Sequence, residues 1–98
     1  MKKKIENIKE LAHQLNQLTS VARSQFEKEV NHIIDNKISD DGIIQHTLDS
    51  MLSFCFDKEI LVFYKSLCRH YFYLNAAATV DYINLYRELW DSESLEDE

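Results

Sequence analysis

The chain has no proline and one glycine, Gly42, in 98 residues. Sheet proteins turn every few residues and draw much of that turn chemistry from these two residue types. Their scarcity argues against a strand-rich fold and predicts helices joined by short polar links. No apolar run approaches the length of a membrane span. No secretory apolar region follows Lys2, Lys3 and Lys4 either, because Glu6, Lys9 and Glu10 interrupt it. The two cysteines, Cys55 and Cys68, form no CxxC or Cys/His ligand pattern. A reducing, cytoplasmic setting is therefore expected. Motifs of the GxSxG, phosphate-loop and HExxH kinds are missing from the sequence. These gaps give the expectation of a protein that is not an enzyme, with no cofactor and no metal.

Basic charge is also short: 11 Lys and Arg stand against 17 Asp and Glu, a net charge of -6. The balance is +3 over residues 1–23, -5 over 24–60 and -4 over 61–98. A nucleic-acid binder needs a basic stripe. Only Lys2, Lys3, Lys4 and Lys9 approach one, and they read as a solvated helix start. Nucleic acid is thus an unexpected partner, as is a membrane. The acidic balance from Ser24 onward leaves a second reading: a decoy that occupies a basic nucleic-acid-binding surface of another protein.

What the chain does have is apolar periodicity. Hydrophobic residues make up 45%, an ordinary globular share. Ile5, Ile8, Leu11, Leu15, Leu18 and Ala22 recur at spacings of three and four, which predicts an amphipathic helix. The seam then shifts to Phe26, Val30, Ile33 and Ile34. Ser24 and Glu27 have capping-box spacing, so a break near Thr19 and Ser20 is favoured over one helix of about 30 residues. "NKISDDG" (Asn36 to Gly42) reads as a loop, with Ser39 or Asp40 capping a helix that carries Ile44, Leu48, Met51, Leu52 and Cys55. Asp57 reads as the next cap. Its helix follows the stripe Ile60, Tyr64, Leu67, Tyr71 and Leu74, widened by Leu61, Cys68 and Phe72, as a central helix would. Asn75 ends it or caps the last helix, whose expected inward face is Ala76, Val80, Ile83, Tyr86 and Trp90. The expected fold is all-α: a single compact antiparallel bundle of four to five helices over residues 1–90, followed by a disordered acidic tail at 91–98.

"LCRHYFYLNAA" (Leu67 to Ala77) looks chemically rich, but helical spacing separates its groups. Cys68 and His70 are two apart and point to different sides. A nucleophilic thiol needs an adjacent base, and none lies at helical spacing from Cys68. His32 with Asp35, and His46 with Asp49, make pairs rather than converging ligand sets. The aromatic bias says more, since ten of the chain's eleven aromatics lie from Phe54 to Trp90. Tyrosine and tryptophan carry an apolar body and a polar tip, which suits interface cores. Phe63, Tyr73, Tyr82, Tyr86 and Trp90 are the candidate interaction surface. The expected function is a small non-enzymatic protein–protein interaction or regulatory module. Its partner is another protein or the chain itself as a homodimer.

"LDSMLSFCFDKEILVFYKSLCRHYF" followed by "DYINLYRELWDSE" resembles short helical proteins of gut Bacteroidales genomes, over roughly Leu48 to Glu93. No established activity belongs to that group, so the resemblance implies no catalytic residue and no ligand. It implies a bacterial, cytoplasmic origin.

Overall fold

The computed structural model describes residues 2–91, with side chains from residue 7 onward. All but Asp91 of the acidic tail therefore lies outside the described residues. Four helices follow in order: α1 (Lys2–Asp35), α2 (Asp41–Leu52), α3 (Lys58–Phe72) and α4 (Ala76–Trp90). Loops of five, five and three residues join them. The all-α antiparallel arrangement is as the periodicity predicts.

The expected break in the first helix does not occur. Helix α1 is continuous over 34 residues. The Thr19 hydroxyl donates to the Leu15 carbonyl at 2.8 Å and so satisfies itself inside the helix. Ser24 lies exposed in the helix interior rather than at a cap. The shift of apolar phase marks a change of environment instead. Every described side chain from Asn7 to Leu18 is exposed, and Thr19 is the first to be buried. Phe26, Val30 and Ile33 then enter the core. At about 1.5 Å per residue, 34 residues span roughly 51 Å, close to the molecule's longest extent of 53 Å. The radius of gyration, 16.0 Å, exceeds the roughly 13 Å of a compact 100-residue domain, because half of α1 runs past the other helices.

Each helix boundary has a local cause. Helix α1 ends in a Schellman turn, in which the Ile38 amide donates to the Ile33 carbonyl and the Lys37 amide to that of Ile34. Lys37 holds the left-handed conformation (φ 52°) that such a turn usually gives to glycine. Asp40 caps α2 through the Ile43 amide. A Cβ at Gly42 would stand 3.1 Å from the capping Oδ1 of Asp40, so the one glycine leaves that cap room. Asp57 caps α3 through the Ile60 amide, and Asn75 caps α4 through the Ala78 amide.

Helix α3 is central, as its wide stripe suggests, and packs against α1, α2 and α4. Ile60, Tyr64, Leu67, Cys68 and Tyr71 are buried, while Leu74 lies beyond the helix end and is half exposed. Ile44, Leu48 and Met51 of α2 are fully buried against it. The expected inward face of α4 needs correction. Thr79 and Tyr82 are buried, with Ala78 and Tyr86 packed on the core, whereas Val80 and Ile83 are exposed. Satisfied polar tips permit this rotation, and the Tyr82 bond to α2 holds it. The Thr79 hydroxyl donates to the Asn75 carbonyl, and the Tyr82 hydroxyl to Asp49. Satisfied tips let these two residues turn inward in place of aliphatic neighbours.

A side-chain clamp joins α1 to the start of α3. Arg23 donates to both carboxylate oxygens of Asp57, at 2.7 and 3.1 Å, and lies 3.3 Å from Glu59. The hydrogen bond from Arg23 holds the Asp57 carboxyl below the usual carboxylate range, helped by the Ile60 amide. Its stabilising contribution is therefore complete above the unfolded pKa of about 3.9 and is lost as pH falls through the lower folded value. Thermal melts from pH 6 to pH 2 should show that loss in the native chain and a smaller loss in Asp57→Asn. Asp57→Ala, which also removes the cap, should melt below Asp57→Asn by the equivalent of about 1 kcal/mol. Lys37→Gly should raise stability by about 1 kcal/mol, a rise of roughly 4–8 °C in melting temperature. An unchanged melting point would show that the left-handed turn carries no strain.

Candidate functional site

The structure does not gather the five aromatic candidates into one surface. Tyr82 is 8% exposed; its hydroxyl lies 2.8 Å from Asp49 Oδ1 and 3.4 Å from the Gln45 carbonyl. Tyr86 and Phe63 are half-buried against the core, with the Tyr86 ring 6.2 Å from that of Tyr64. Trp90 packs on Phe56 at 5.9 Å, and its Nε1 donates to the Leu52 carbonyl at 2.7 Å. Tyr73 alone stands well clear, 87% exposed. It precedes α4 whereas Trp90 ends it, which separates the two by over ~20 Å along the axis. The aromatic bias of this half is thus mainly core, and the polar tips of Tyr64, Tyr71, Tyr82 and Trp90 are spent on inter-helix hydrogen bonds.

The stretch from Leu67 to Ala77 resolves the same way. The Tyr71 hydroxyl donates to Asp41 at 2.5 Å and accepts from the Gln45 side chain at 2.8 Å, joining the end of α3 to the start of α2. Nε2 of His70 donates to the Ile38 carbonyl at 2.9 Å, so the proton sits on that nitrogen. His32 pairs with Asn36, its Nδ1 3.0 Å from the amide nitrogen, and not with Asp35. Cys68 and Cys55 are free, buried thiols. Burial pushes Cys68 up to about 11. Burial, followed by the neighbouring Cys68, pushes Cys55 up to about 12. Among the described residues, no three His, Cys, Asp or Glu side chains are placed to hold a metal. No helix there is long and apolar enough to cross a membrane.

Two surfaces lie outside the aromatic set, and both are better formed than it. The first is the free half of α1, where Ile8, Leu11, Leu15, Leu18 and Val21 are 48–63% exposed. Their spacing was legible in the sequence, but the absence of any covering helix was not.

The second is a cleft of about 440 Å³ between α3 and α4. The buried side chains Tyr64, Cys68 and Thr79 form its floor, and Leu61, Phe72 and Ile83 its walls. Lys65, Arg69 and Arg87 complete the lining. These are the only Lys or Arg residues after residue 60, and all three line the cleft. No carboxylate lines it among the described residues. Sequence reading could not find it, because it depends on the rotation of α4 that leaves Ile83 at the edge.

Raised thiol values carry a sign. The neutral thiols belong to the folded state, so their contribution is complete below the unfolded value of about 8.5 and is lost as pH rises toward 11 and 12. Stability should therefore decline above pH 8.5. At pH 8, iodoacetamide should alkylate native protein at least 100-fold more slowly than denatured protein. Rapid alkylation of the folded chain would contradict the burial of both thiols.

Comparison with protein-family models, with curated proteins and with solved structures gives no match for this chain.

Proposed function

We propose that this chain is a small non-enzymatic protein–protein interaction module, working in a reducing cytoplasm, and that its partner is a second copy of itself paired through α1. The observation that carries this reading is the exposed seam Ile8, Leu11, Leu15, Leu18. Its three–four–three spacing gives alternating heptad positions. Run antiparallel, Ile8 of one copy meets Leu18 of the other, and Leu11 meets Leu15. The seam is therefore complementary to itself, as a two-fold interface requires.

Charge favours the same arrangement. Residues 1–23 carry +3 and residues 24–60 carry -5. Parallel pairing would set two basic ends together, whereas antiparallel pairing in this register separates them, with residues 2–4 of one copy opposite residues 22–24 of the other. With Val21, the seam exposes on the order of 500 Å² of apolar surface per copy, so a pair removes about 1,000 Å² from water, near the lower bound of a specific interface. The contact thus passes from the aromatic set to α1.

Light scattering after size-exclusion chromatography should give twice the chain mass at micromolar concentration. Leu11→Glu with Leu15→Glu should weaken dimerisation at least 100-fold. Both side chains are exposed, so the isolated subunit should lose only about 0.5 kcal/mol. A single-chain mass at every concentration up to about 1 mM, below the affinity of any useful contact, would overturn the proposal. So would a dimer that survives both substitutions.

A further inference from the structure

The cleft between α3 and α4 sets cations beside an apolar floor. The Tyr64 and Tyr86 rings touch, so Lys65 and Arg87, the next residue on each helix, stand at one level. Arg69 follows one turn along α3. Arg69 is three residues from Phe72, so the cations flank much of the slot, and beyond Arg69 the lining carries none. Among the described residues, none of the three cations is in an ion pair, in contrast to Arg23. In a chain of net charge -6, the cations of its second half converge on one apolar slot. Cations beside an apolar floor are the recognition pattern for an amphiphile of negative charge.

The dimensions agree. From Lys65, at the level of the carboxylate, to Phe72 is seven residues on α3, about 10 Å at 1.5 Å per residue. At roughly 1.2 Å per bond of an extended chain, that length covers about 9 bonds, the part of the chain nearest the carboxylate. The volume of about 440 Å³ falls in the roughly 300–1,000 Å³ range of small-molecule sites. The small side chains of Cys68 and Thr79 on the floor leave the slot open between the two helices. A partner helix, 10–12 Å across, would rest on the rim and leave the slot unfilled.

We propose that this cleft binds a long-chain carboxylate, with the hydrocarbon lying along the slot toward Phe72 and the carboxylate held by Lys65, Arg69 and Arg87. Arginine forks match a carboxylate through paired N–H donors, and the apolar walls remove the chain from water. The site is independent of α1 and does not require pairing.

The full chain is titrated with cis-parinarate, a polyene carboxylate whose fluorescence rises in apolar surroundings, below the concentration at which it self-associates. Saturable binding of one probe per chain at micromolar concentration is expected. The methyl ester of the probe should bind at least tenfold more weakly, as should the acid to Arg69→Gln with Arg87→Gln. Ile83→Trp, at an exposed wall position, should block the slot while circular dichroism shows the helices intact. No saturable binding would overturn the proposal. Equal binding of acid and ester, or binding unmoved by the arginine substitutions, would do the same. Binding of an α-helical acidic peptide at the cleft without any uptake of the carboxylate would assign the rim to a protein partner and reject the lipid-like ligand.

Discussion

A buried phenol must find a hydrogen-bond partner, and three of them fix how this bundle is assembled. Tyr64 donates to the Tyr82 carbonyl, Tyr71 to Asp41, and Tyr82 to Asp49. Each bond joins two helices: α3 to α4, α3 to α2, and α4 to α2. Apolar burial supplies more energy, at about 1.5–3 kcal/mol for each fully buried Leu, Ile or Met, against about 0.5–1.5 kcal/mol for a typical hydrogen bond. Burial does not depend on direction, however, and the phenols do. They hold the rotation of α4, and that rotation leaves Ile83 and Phe72 exposed beside a cationic slot. Burial and, for Tyr82, the facing Asp49 raise the phenol of Tyr82, while burial dominates at Tyr64, so both tips remain protonated donors across the ordinary pH range.

Helix α1 is joined to this assembly only over its second half. Phe26, Val30 and Ile33 bury themselves, and the clamp of Arg23 on Asp57 is placed where the helix first meets α3. One carboxylate thereby acts twice, as cap of α3 and as anchor of α1. From Asn7 to Leu18 every described side chain of the helix is exposed, although its seam is as regular as a buried one. An isolated helix of that length is marginal in water. Continuity with the anchored half supports it, and the same continuity keeps the seam straight enough to meet a second copy along its length.

The fold was largely legible because its signals are local. Asp57 caps the helix it was expected to cap, the open choices at Ser39 or Asp40 and at Asn75 resolve to Asp40 and Asn75 as caps, and the stripe Ile60, Tyr64, Leu67, Tyr71 marks the central helix. Periodicity failed where it had to say what lies opposite. The same three–four rhythm describes Leu11 and Leu15, which are exposed, and Leu48 and Met51, which are fully buried. Ser24 imitated a cap because the capping pattern is short and the tertiary contact of Arg23, one residue earlier, is invisible in sequence. Tyr82 and Thr79 were missed on α4 because a polar tip reads as outward until its partner, 33 residues away or one turn back, is known. The cleft failed for the same reason, since it exists only once two helices have chosen their facing sides.

Exposed apolar residues are common here, and most need no function. The molecule is 18 Å thick, less than two helix diameters of 10–12 Å, so a helix in this slab cannot cover all its sides. Val62, Leu74, Val80 and Leu89 are exposed for that reason alone. The seam of α1 differs by its regular spacing over an uncovered length. The α3–α4 cleft differs by its concavity and by the gathering of Lys65, Arg69 and Arg87 in a region otherwise negative. Net charge describes how the whole chain meets distant ions; within a few ångströms, three unpaired cations outweigh it, because interactions between exposed charges fade beyond the Debye length of about 8 Å at physiological salt. An acidic protein can thus hold an anion, provided its basic residues are few and placed together.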